Sequence, residues 1–273
     1  MEISPFNSGD IRTPSVNYNC DGNVHCNRLR YASHKIYKGR RAIDGMPYSR
    51  ETEDTETLEI TLTDDDKNVE FTLFYTVFPS VDVIARYQEI KNTGQANISV
   101  QKFASACVDF YGMDYDVMTL EGIYLYERAK VARNRLERGT FKNESLTGTT
   151  SHCKNPFIAI CAHNADEDSG EVYGFNLVYS GNFSEEVSVS HLGDTRVLLG
   201  ISDVGLLWTL RPDERLALAS KNRRFSKVGI NNGKFAQWIF SVFFVVIPVA
   251  QFKRLAKRRH DLIHIPFFNF AVW

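Results

Sequence analysis

The alternation of apolar and polar residues with a period of two is the feature that most restricts how this chain can fold. It runs through Thr57–Thr63, and after a carboxylate-rich turn at Asp64–Asn68 it resumes over Val69–Phe78 and again over Val81–Ile90. Successive side chains of a strand point to opposite faces, so this period predicts half-buried antiparallel strands joined by short turns. The apolar faces of such strands need a second layer of structure to cover them.

Further strands are predicted along most of the chain. The segments carry apolar and aromatic residues between polar turns: Ile98–Phe110, Pro156–Ala162, Gly170–Phe183, Glu185–Ser190, Thr195–Ile201 and Gly205–Leu210. No long stretch has the 3.6-residue period of an amphipathic helix. We therefore predict an all-β protein, built as a large antiparallel sandwich.

Three glycines lie within the strand-forming stretch GEVYGFNLVYSGNF, Gly170–Phe183. A phosphate-binding loop is not predicted here, because a dinucleotide fingerprint needs G-x-G-x-x-G at the start of a helix and a Walker loop needs a Gly-Lys-Ser/Thr ending. We expect Gly170 and Gly181 to bracket a strand at its turns, and Gly174 to let another backbone or a ring come close.

Charge divides the chain near residue 217. After residue 220 the sequence holds ten Lys and Arg residues and a single acid, out of totals of 32 basic and 33 acidic residues. We assign residues 1–217 to the β-sandwich domain and residues 218–273 to an atypical basic and apolar tail. The apolar run Gln237–Ala250 is shorter than the roughly 20 residues that cross a bilayer, and Pro248 interrupts it. A membrane anchor is therefore the less favoured interpretation of this run.

Catalytic residue types occur without the arrangement that catalysis requires. Asp114 and Asp116 are two apart on an extended segment and face the same way, as a carboxylate pair for glycoside chemistry would. A solvated acidic turn is the more common use of such residues. His152 and Cys153 are adjacent, whereas a catalytic Cys-His pair is assembled in space from separate segments.

No metal site, cofactor or nucleic-acid partner is predicted. His260 and His264 are four residues apart but lack the Glu of H-E-x-x-H. The basic run Lys253–His260 has no interleaved aromatic residues on a recognisable nucleic-acid-binding module. The odd number of cysteines, five, without C-x-x-C, and an N-terminus without a secretory pattern predict reduced thiols and a cytoplasmic location.

Five segments in one order carry a resemblance to a known family. They are DIRTPS (Asp10–Ser15), LRYASHKIYKG (Leu29–Gly39), ETLEITL (Glu56–Leu62), SHCKNPFIAI (Ser151–Ile160) and GEVYGFNLVYSGNF (Gly170–Phe183). Together they resemble the N-terminal domain of the glycoside hydrolase family 36 alpha-galactosidases, from about Pro5 to about Leu216.

The resemblance implies a β-supersandwich of the galactose-mutarotase-like type, followed in the full enzyme by a (β/α)8 catalytic barrel. Such enzymes remove terminal α-linked galactose from melibiose, raffinose and related sugars with retention of configuration and without a metal. Their two catalytic aspartates lie on the barrel. Nothing in this chain resembles the barrel, so no catalytic residue can be assigned and the chain alone is expected to be inactive. The implied partners are galactosides, a catalytic barrel of the same chain and further copies in a homo-oligomer.

One sugar-site feature of the family falls within this chain. Family members typically read L-x-G-A-W-x-R-E-R, and the Trp lines the galactose site of a neighbouring subunit. The matching segment is LEGIYLYER (Leu120–Arg128), which places Tyr124 at the Trp position. Tyr124 is thus a candidate substrate-binding residue with less stacking area than Trp. A partly buried strand aromatic without a binding role is the alternative.

The resemblance ends after WTLRPDERL (Trp208–Leu216), where the sequence becomes basic. We interpret the tail as the product of a frameshift or as disordered, and expect the first strands and the last strand of the family's sandwich to be missing. Unpaired edges would then make the chain poorly soluble. The rival hypotheses are a stand-alone carbohydrate-binding or assembly module and a sandwich tethered to a membrane by Gln237–Ala250.

Overall fold

The computed structural model describes residues 3–4, 6, 9–20, 23–24, 28–41, 53–66, 68–79, 83–150, 153–166, 170–217 and 241–246. These residues form seventeen strands and no α-helix. All of the strand pairs are antiparallel and belong to two sheets. The prediction of an all-β antiparallel sandwich is confirmed.

The first sheet has seven strands in the order β10-β13-β14-β7-β1-β2, with β15 also paired to β7. Its strands are β1 (Val16–Cys20), β2 (Asn23–Val24), β7 (Ile98–Phe110), β10 (Gly139–Ser145), β13 (Phe183–Val189), β14 (Thr195–Ile201) and β15 (Trp208–Leu210). The long β7 is its centre, since it pairs with β1, β14 and β15.

The second sheet has ten strands in the order β3-β4-β5-β6-β17-β12-β11-β8-β9, with β16 also paired to β6. Its strands are β3 (Arg30–Lys38), β4 (Glu56–Asp64), β5 (Val69–Phe78), β6 (Val83–Asn92), β8 (Tyr115–Ile123), β9 (Tyr126–Arg135), β11 (Lys154–Ala162), β12 (Val172–Val178), β16 (Arg215–Ala217) and β17 (Ser241–Val246).

All of the strands predicted from the sequence are present, with ends shifted by a few residues at most positions. Val69–Phe78, Ile98–Phe110 and Thr195–Ile201 have the predicted bounds. The alternation did not indicate β1, β2, β8, β10, β16 or β17, nor the two edge strands of the ten-stranded sheet, β3 and β9. Both of these edge strands carry charged residues along their length, which is how sheet edges avoid further pairing, and β3 is almost entirely exposed.

Apolar side chains from both sheets fill the space between them. One cluster brings Ile158 and Phe175 of the ten-stranded sheet against Phe183 and Val197 of the seven-stranded sheet. A second cluster joins Phe71 of β5 to strands β1 and β7. Each of these side chains is fully buried, so the apolar half of the alternation is what holds the two layers together.

Hydrogen bonds also cross the interior from sheet to sheet. Arg86 and Gln88, on β6, donate through their side chains to the backbone carbonyls of Ser105 and Ala104 on β7. The register of β7 against β14 shifts next to Ala104. A shift of this kind leaves carbonyls without a ladder partner, and buried carbonyls need one. The inward polar residues of β6 supply it.

The DIRTPS segment has a structural role that the sequence alone did not show. Arg196 of β14 is fully buried, and its Nη1 lies 3.0 Å from Asp10 Oδ2 while its Nε donates to Asp109 Oδ1 at 2.8 Å. Hydrogen bonding from Arg12 lowers the pKa of Asp10 to about 2. The acids of this network therefore remain charged at neutral pH, and they fasten the N-terminal segment to β7 and β14.

The strand β17 lies in the middle of the ten-stranded sheet although it belongs to the tail. It pairs with β12 over Ser241–Val246 and with β6 over Val242–Val245. The boundary at residue 217 stays a prediction, because of residues 218–273 the structure describes only 241–246.

Two of the three glycines of the stretch Gly170–Phe183 lie at turns, as expected. Gly170 precedes β12 and has a φ of +101°, and a Cβ there would lie 2.5 Å from Ala165 Cα. Gly181 lies between β12 and β13, where a Cβ would lie 2.4 Å from the Tyr179 hydroxyl oxygen. Gly174 pairs with Ala159 inside the sheet. The stretch is a structural element of the sandwich.

A carboxyl group lies fully buried between the sheets. Glu185 of β13 accepts a hydrogen bond from Asn143 Nδ2 at 2.7 Å, and the same amide nitrogen donates to the carbonyl of Asn155 at 2.9 Å. In the described part of the chain, Glu185 Oε1 and Asn143 Oδ1 have no hydrogen-bond partner. Burial raises the pKa of Glu185 well above its ordinary value of 4.5, so folding favours the neutral carboxyl.

We expect Glu185→Gln to raise the free energy of unfolding at pH 8 by about 1–3 kcal/mol, because an amide adds a donor without a buried charge. Since folding raises the pKa of Glu185, its contribution to wild-type stability is full below pH 4.5 and is lost as the pH rises towards the folded pKa. Urea unfolding at pH 4 and pH 8 measures the difference.

The neighbouring Glu186→Gln variant is the matched control for this experiment. Glu186 accepts from Lys102 Nζ at 3.3 Å, so its neutralisation should lower stability. A Glu185→Gln variant that is less stable than wild type at pH 8 would contradict the assignment of a neutral carboxyl.

A second prediction concerns β17. Because its backbone pairs on both sides, Phe244→Pro should remove a donor from the middle of the sheet and destabilise the protein by about 3 kcal/mol or more. Phe244→Val keeps the N–H group and should be much milder. Thermal unfolding compares the two variants, and an equal effect of both would show that β17 does not contribute through its backbone.

Candidate functional site

The candidate sugar-contacting residue lies at the tip of a long hairpin. β8 and β9 form this hairpin, and Tyr124 and Leu125 form its turn. Leu125 has a φ of +69°, the left-handed conformation that a tight turn requires. Tyr124 is 71% exposed, so it lies in a turn at the surface and not within a strand.

The residues around Tyr124 are also apolar and exposed. Ile123, Leu125 and Tyr126 each expose at least 60% of their surface. Contiguous exposed apolar residues on a soluble domain mark sites of contact with another molecule. The hairpin tip therefore has the chemistry of a contact surface for a sugar ring or another protein.

The base of the hairpin is held by an ionic cluster. Asp116 of β8 is 6% exposed and accepts from Arg133 Nε at 2.7 Å and from His163 Nδ1 at 3.1 Å. Arg133 also donates to the carbonyls of Ala165 at 2.8 Å and His163 at 3.2 Å. It thereby ties β9 to the turn that follows β11.

The same cluster decides the role of the two aspartates that sequence reasoning considered as a catalytic pair. Asp114 is bound by Arg135, and Asp116 by Arg133 and Arg135. Burial tends to raise the pKa of Asp116, but hydrogen bonds from His163 and Arg133 lower it below its ordinary value of 3.8. A general acid for glycoside hydrolysis needs a raised pKa, so this pair is suited to anchoring the hairpin.

Sequence reasoning missed the arginine partners of these acids. Arg133 and Arg135 are two residues apart on β9, and Asp114 and Asp116 are two residues apart at the start of β8, with Asp114 just before its first residue. Matching acidic and basic pairs on adjacent segments are the signal that could have indicated a cross-strand cluster.

A polar groove of about 620 Å³ lies over β3, β4 and β5 at the other end of the sheet. Two of its cations are paired: Lys35 Nζ lies 2.8 Å from Oε1 of Glu59 in the same lining, and Arg41 Nη2 lies 3.3 Å from Oε1 of Glu89, which is buried. Burial raises the pKa of Glu89, although Arg41 opposes the rise. These mutual pairs are typical of a stabilised sheet surface.

Among the residues that the structure describes, the other candidates form no further site. Burial raises the pKa of Cys107 and of Cys161 to about 11, so neither thiol is activated at neutral pH. In the described ranges no group of three or more His, Cys, Asp or Glu residues could hold a metal ion. His152, His260 and His264 lie outside the described residues.

The membrane-anchor alternative rests on Gln237–Ala250, of which the structure describes only 241–246, as strand β17. In the part of the chain that is described, no helix has the length and apolar character needed to cross a membrane.

Comparison with protein-family models gives a match over residues 1–211 to the glycosyl hydrolase family 36 N-terminal domain. Among curated proteins, the chain is 37% identical over 233 residues to the alpha-galactosidase AgaA of Geobacillus stearothermophilus. It is 34% identical over 255 residues to the alpha-galactosidase Mel36A of Lactobacillus acidophilus. These alignments cover 85% and 92% of this chain but only 32% and 34% of the relatives, so the chain spans about a third of their length.

Solved structures agree with this match. The crystal structure of the Geobacillus enzyme AgaA, carrying A355E and in complex with 1-deoxygalactonojirimycin, has a TM-score of 0.80 and 34% identity, and the similarity covers 90% of this chain and 32% of that chain. The galactosidase domain of an alpha-galactosidase-sucrose kinase has a TM-score of 0.78 and 31% identity.

We expect Asp116→Asn to lower the free energy of unfolding at pH 7 by about 1–2 kcal/mol, because Arg133 and His163 lose a charged acceptor. Since folding lowers the pKa of Asp116, its contribution is present above pH 3.8 and is lost as the pH falls through the folded pKa. The two proteins should therefore converge in stability in acid. Asp65→Asn, at an exposed position in the turn between β4 and β5, is the control, and an equal loss in both variants would contradict the anchoring role.

Proposed function

Because this chain belongs to the glycosyl hydrolase family 36 N-terminal domain family, we propose that it is the N-terminal portion of an alpha-galactosidase that hydrolyses terminal α-D-galactosyl residues. The observation that carries the proposal is the match over residues 1–211, supported by 37% identity to a curated alpha-galactosidase. The proposed substrates are sugars of the melibiose and raffinose type, and the proposed location is cytoplasmic.

The proposed chemistry is retaining hydrolysis by two carboxyl groups of a catalytic barrel. In such a reaction one carboxylate attacks the anomeric carbon while the other carboxyl protonates the leaving oxygen and then activates water. We place both groups outside this chain, since Asp114 and Asp116 are engaged by arginines at the base of the hairpin. The sandwich alone should therefore have no turnover.

We propose that Tyr124 is this chain's contribution to sugar binding, made to a neighbouring subunit of a homo-oligomer. Its ring lies at an exposed tip whose position is fixed by the Asp116 cluster. The apolar face of galactose can stack on such a ring, although Tyr offers less area than Trp. A hairpin anchored at its base can present the ring to a partner without rearrangement.

The test uses residues 1–211 of this chain fused to the remainder of the Geobacillus relative. Loss of a stacked aromatic ring costs about 0.5–1.5 kcal/mol, so Tyr124→Ala should raise KM for an α-galactoside roughly 2–10-fold. Tyr124→Trp should lower KM. Steady-state kinetics with a chromogenic α-galactoside measures all three proteins.

Tyr111→Ala is the matched control, because Tyr111 is 95% exposed on a different loop, between β7 and β8. It should leave KM unchanged. Equal KM values for the Tyr124→Ala and Tyr111→Ala proteins would contradict the role of Tyr124. Turnover by the unfused chain would contradict the proposed location of the carboxyl groups, and galactose binding by the unfused chain without turnover would favour a stand-alone carbohydrate-binding module.

A further inference from the structure

The polar groove over β3, β4 and β5 lies on the face of the ten-stranded sheet that points away from the seven-stranded sheet. Phe71 of β5 belongs to the core between the sheets, so its neighbours Glu70 and Thr72 point to the opposite face, where both line the groove. Thr61 of β4 lies directly opposite Thr72, and Arg215 of β16 lines the far side. The groove therefore crosses four neighbouring strands, β4, β5, β6 and β16.

The charged groups of the groove balance. They are the cations Lys35, Arg41 and Arg215 and the carboxyls Glu59, Glu70 and Glu89, the last held by two of the cations at its edge. Because three positive and three negative groups cancel, a ligand with a net charge gains little overall attraction here. Tyr37 is the single aromatic residue among the described residues of the lining, and an apolar ligand would leave the polar groups without partners.

The ion pairs use only part of this polarity. Lys91 lies directly opposite Glu70 but pairs with Asp213, at 3.9 Å, and within the described ranges Glu70 forms no ion pair. Arg215 Nη1 is 3.7 Å from Glu89 Oε2, which is beyond hydrogen-bond distance. A carboxylate acceptor and a guanidinium donor are therefore left available to a molecule in the groove.

Two hydroxyl groups lie between this acceptor and this donor. They belong to Thr61 and Thr72, which pair across β4 and β5. Neither hydroxyl has a hydrogen-bond partner in the part of the chain that the structure describes. A hydroxyl both donates and accepts, so the floor of the groove offers hydrogen bonds of both kinds.

We propose that this groove binds a neutral polyhydroxylated ligand, a sugar of one or two rings. A sugar hydroxyl also donates and accepts, so one ligand can satisfy Glu70, Arg215 and a threonine hydroxyl together without bringing a charge. The volume of about 620 Å³ is that of a small-ligand site, and the ring of Tyr37 supplies an apolar face. The site is separate from Tyr124 and does not depend on the galactosidase assignment.

The experiment measures galactose binding to the full chain by isothermal titration calorimetry. All proteins carry Tyr124→Ala, so that the other candidate sugar contact is absent. Glu70→Gln keeps the shape of the side chain but removes a charged acceptor, and it should weaken binding roughly tenfold. Thr61→Val removes a hydroxyl and keeps a β-branched side chain that suits a strand, and it should weaken binding about threefold.

Glu56→Gln is the matched control, because Glu56 is exposed on β4 and its side chain is on the face opposite to that of Thr61. It should leave the affinity unchanged. Thermal unfolding checks that each variant is folded, and Thr61→Val decides the matter if Glu70→Gln is not. Equal affinity of the groove variants and the control would overturn the proposal, and so would the absence of galactose binding to the full chain.

Charged sugars test the inferred neutrality of the ligand. Galacturonate and galactosamine keep the ring of galactose and add one negative or one positive charge in mildly acidic buffer. Since the charges of the groove cancel, neither should bind more tightly than galactose. Tighter binding of galacturonate would identify an anion site and tighter binding of galactosamine a cation site, and either result would overturn the proposal.

Discussion

The fixed distance and alignment between the two sheets depend on polar contacts that cross a largely apolar interior. Arg86 and Gln88 of β6 satisfy carbonyls of β7 where the ladder with β14 shifts register. Arg86 is only 4% exposed, and such a cation is tolerated in a core because its donors are engaged by specific acceptors. Sliding one sheet over the other would leave both the donors and the carbonyls unpaired, which apolar packing alone would not prohibit.

The apolar pattern was sufficient to predict the architecture. Val69–Phe78 begins with apolar and polar residues in alternation, so its period is visible in the sequence, whereas Thr195–Ile201 is buried on both faces and is marked by its apolar run. The edge strands β3 and β9 were missed because their positions are set by pairing with a neighbour, while charge and exposure mask their own period. The local pattern of apolar residues therefore predicts which side chains are buried better than it predicts which strands pair.

The candidate site was predictable only in part for a related reason. Tyr124 could be singled out because the family resemblance marks its position. Its environment could not be foreseen, since the cluster around Asp116 is assembled from β8, β9 and the turn after β11. The carboxylates that resembled a catalytic pair in sequence acquire an anchoring role only when their arginine partners are brought alongside.

The position of β17 is a further feature that local composition did not predict. Composition separates the tail from the sandwich, and yet a six-residue apolar segment of that tail occupies the centre of the larger sheet. Sheet completion depends on uncharged, extended backbone at the right phase. It does not require that the segment be adjacent in sequence to the strand that it continues.

The hairpin of β8 and β9 can also be regarded as a lever arm. Asp116 and Tyr124 are eight residues apart, which corresponds to roughly 26 Å of extended chain. A rotation of about 5° at the Asp116 cluster would displace the tip by roughly 2 Å, and a misplacement of about 1 Å can already change a reaction rate a hundredfold. Mutations at the base can therefore shift the exposed tip at a distance, whereas side chains at the tip can change at little cost to folding.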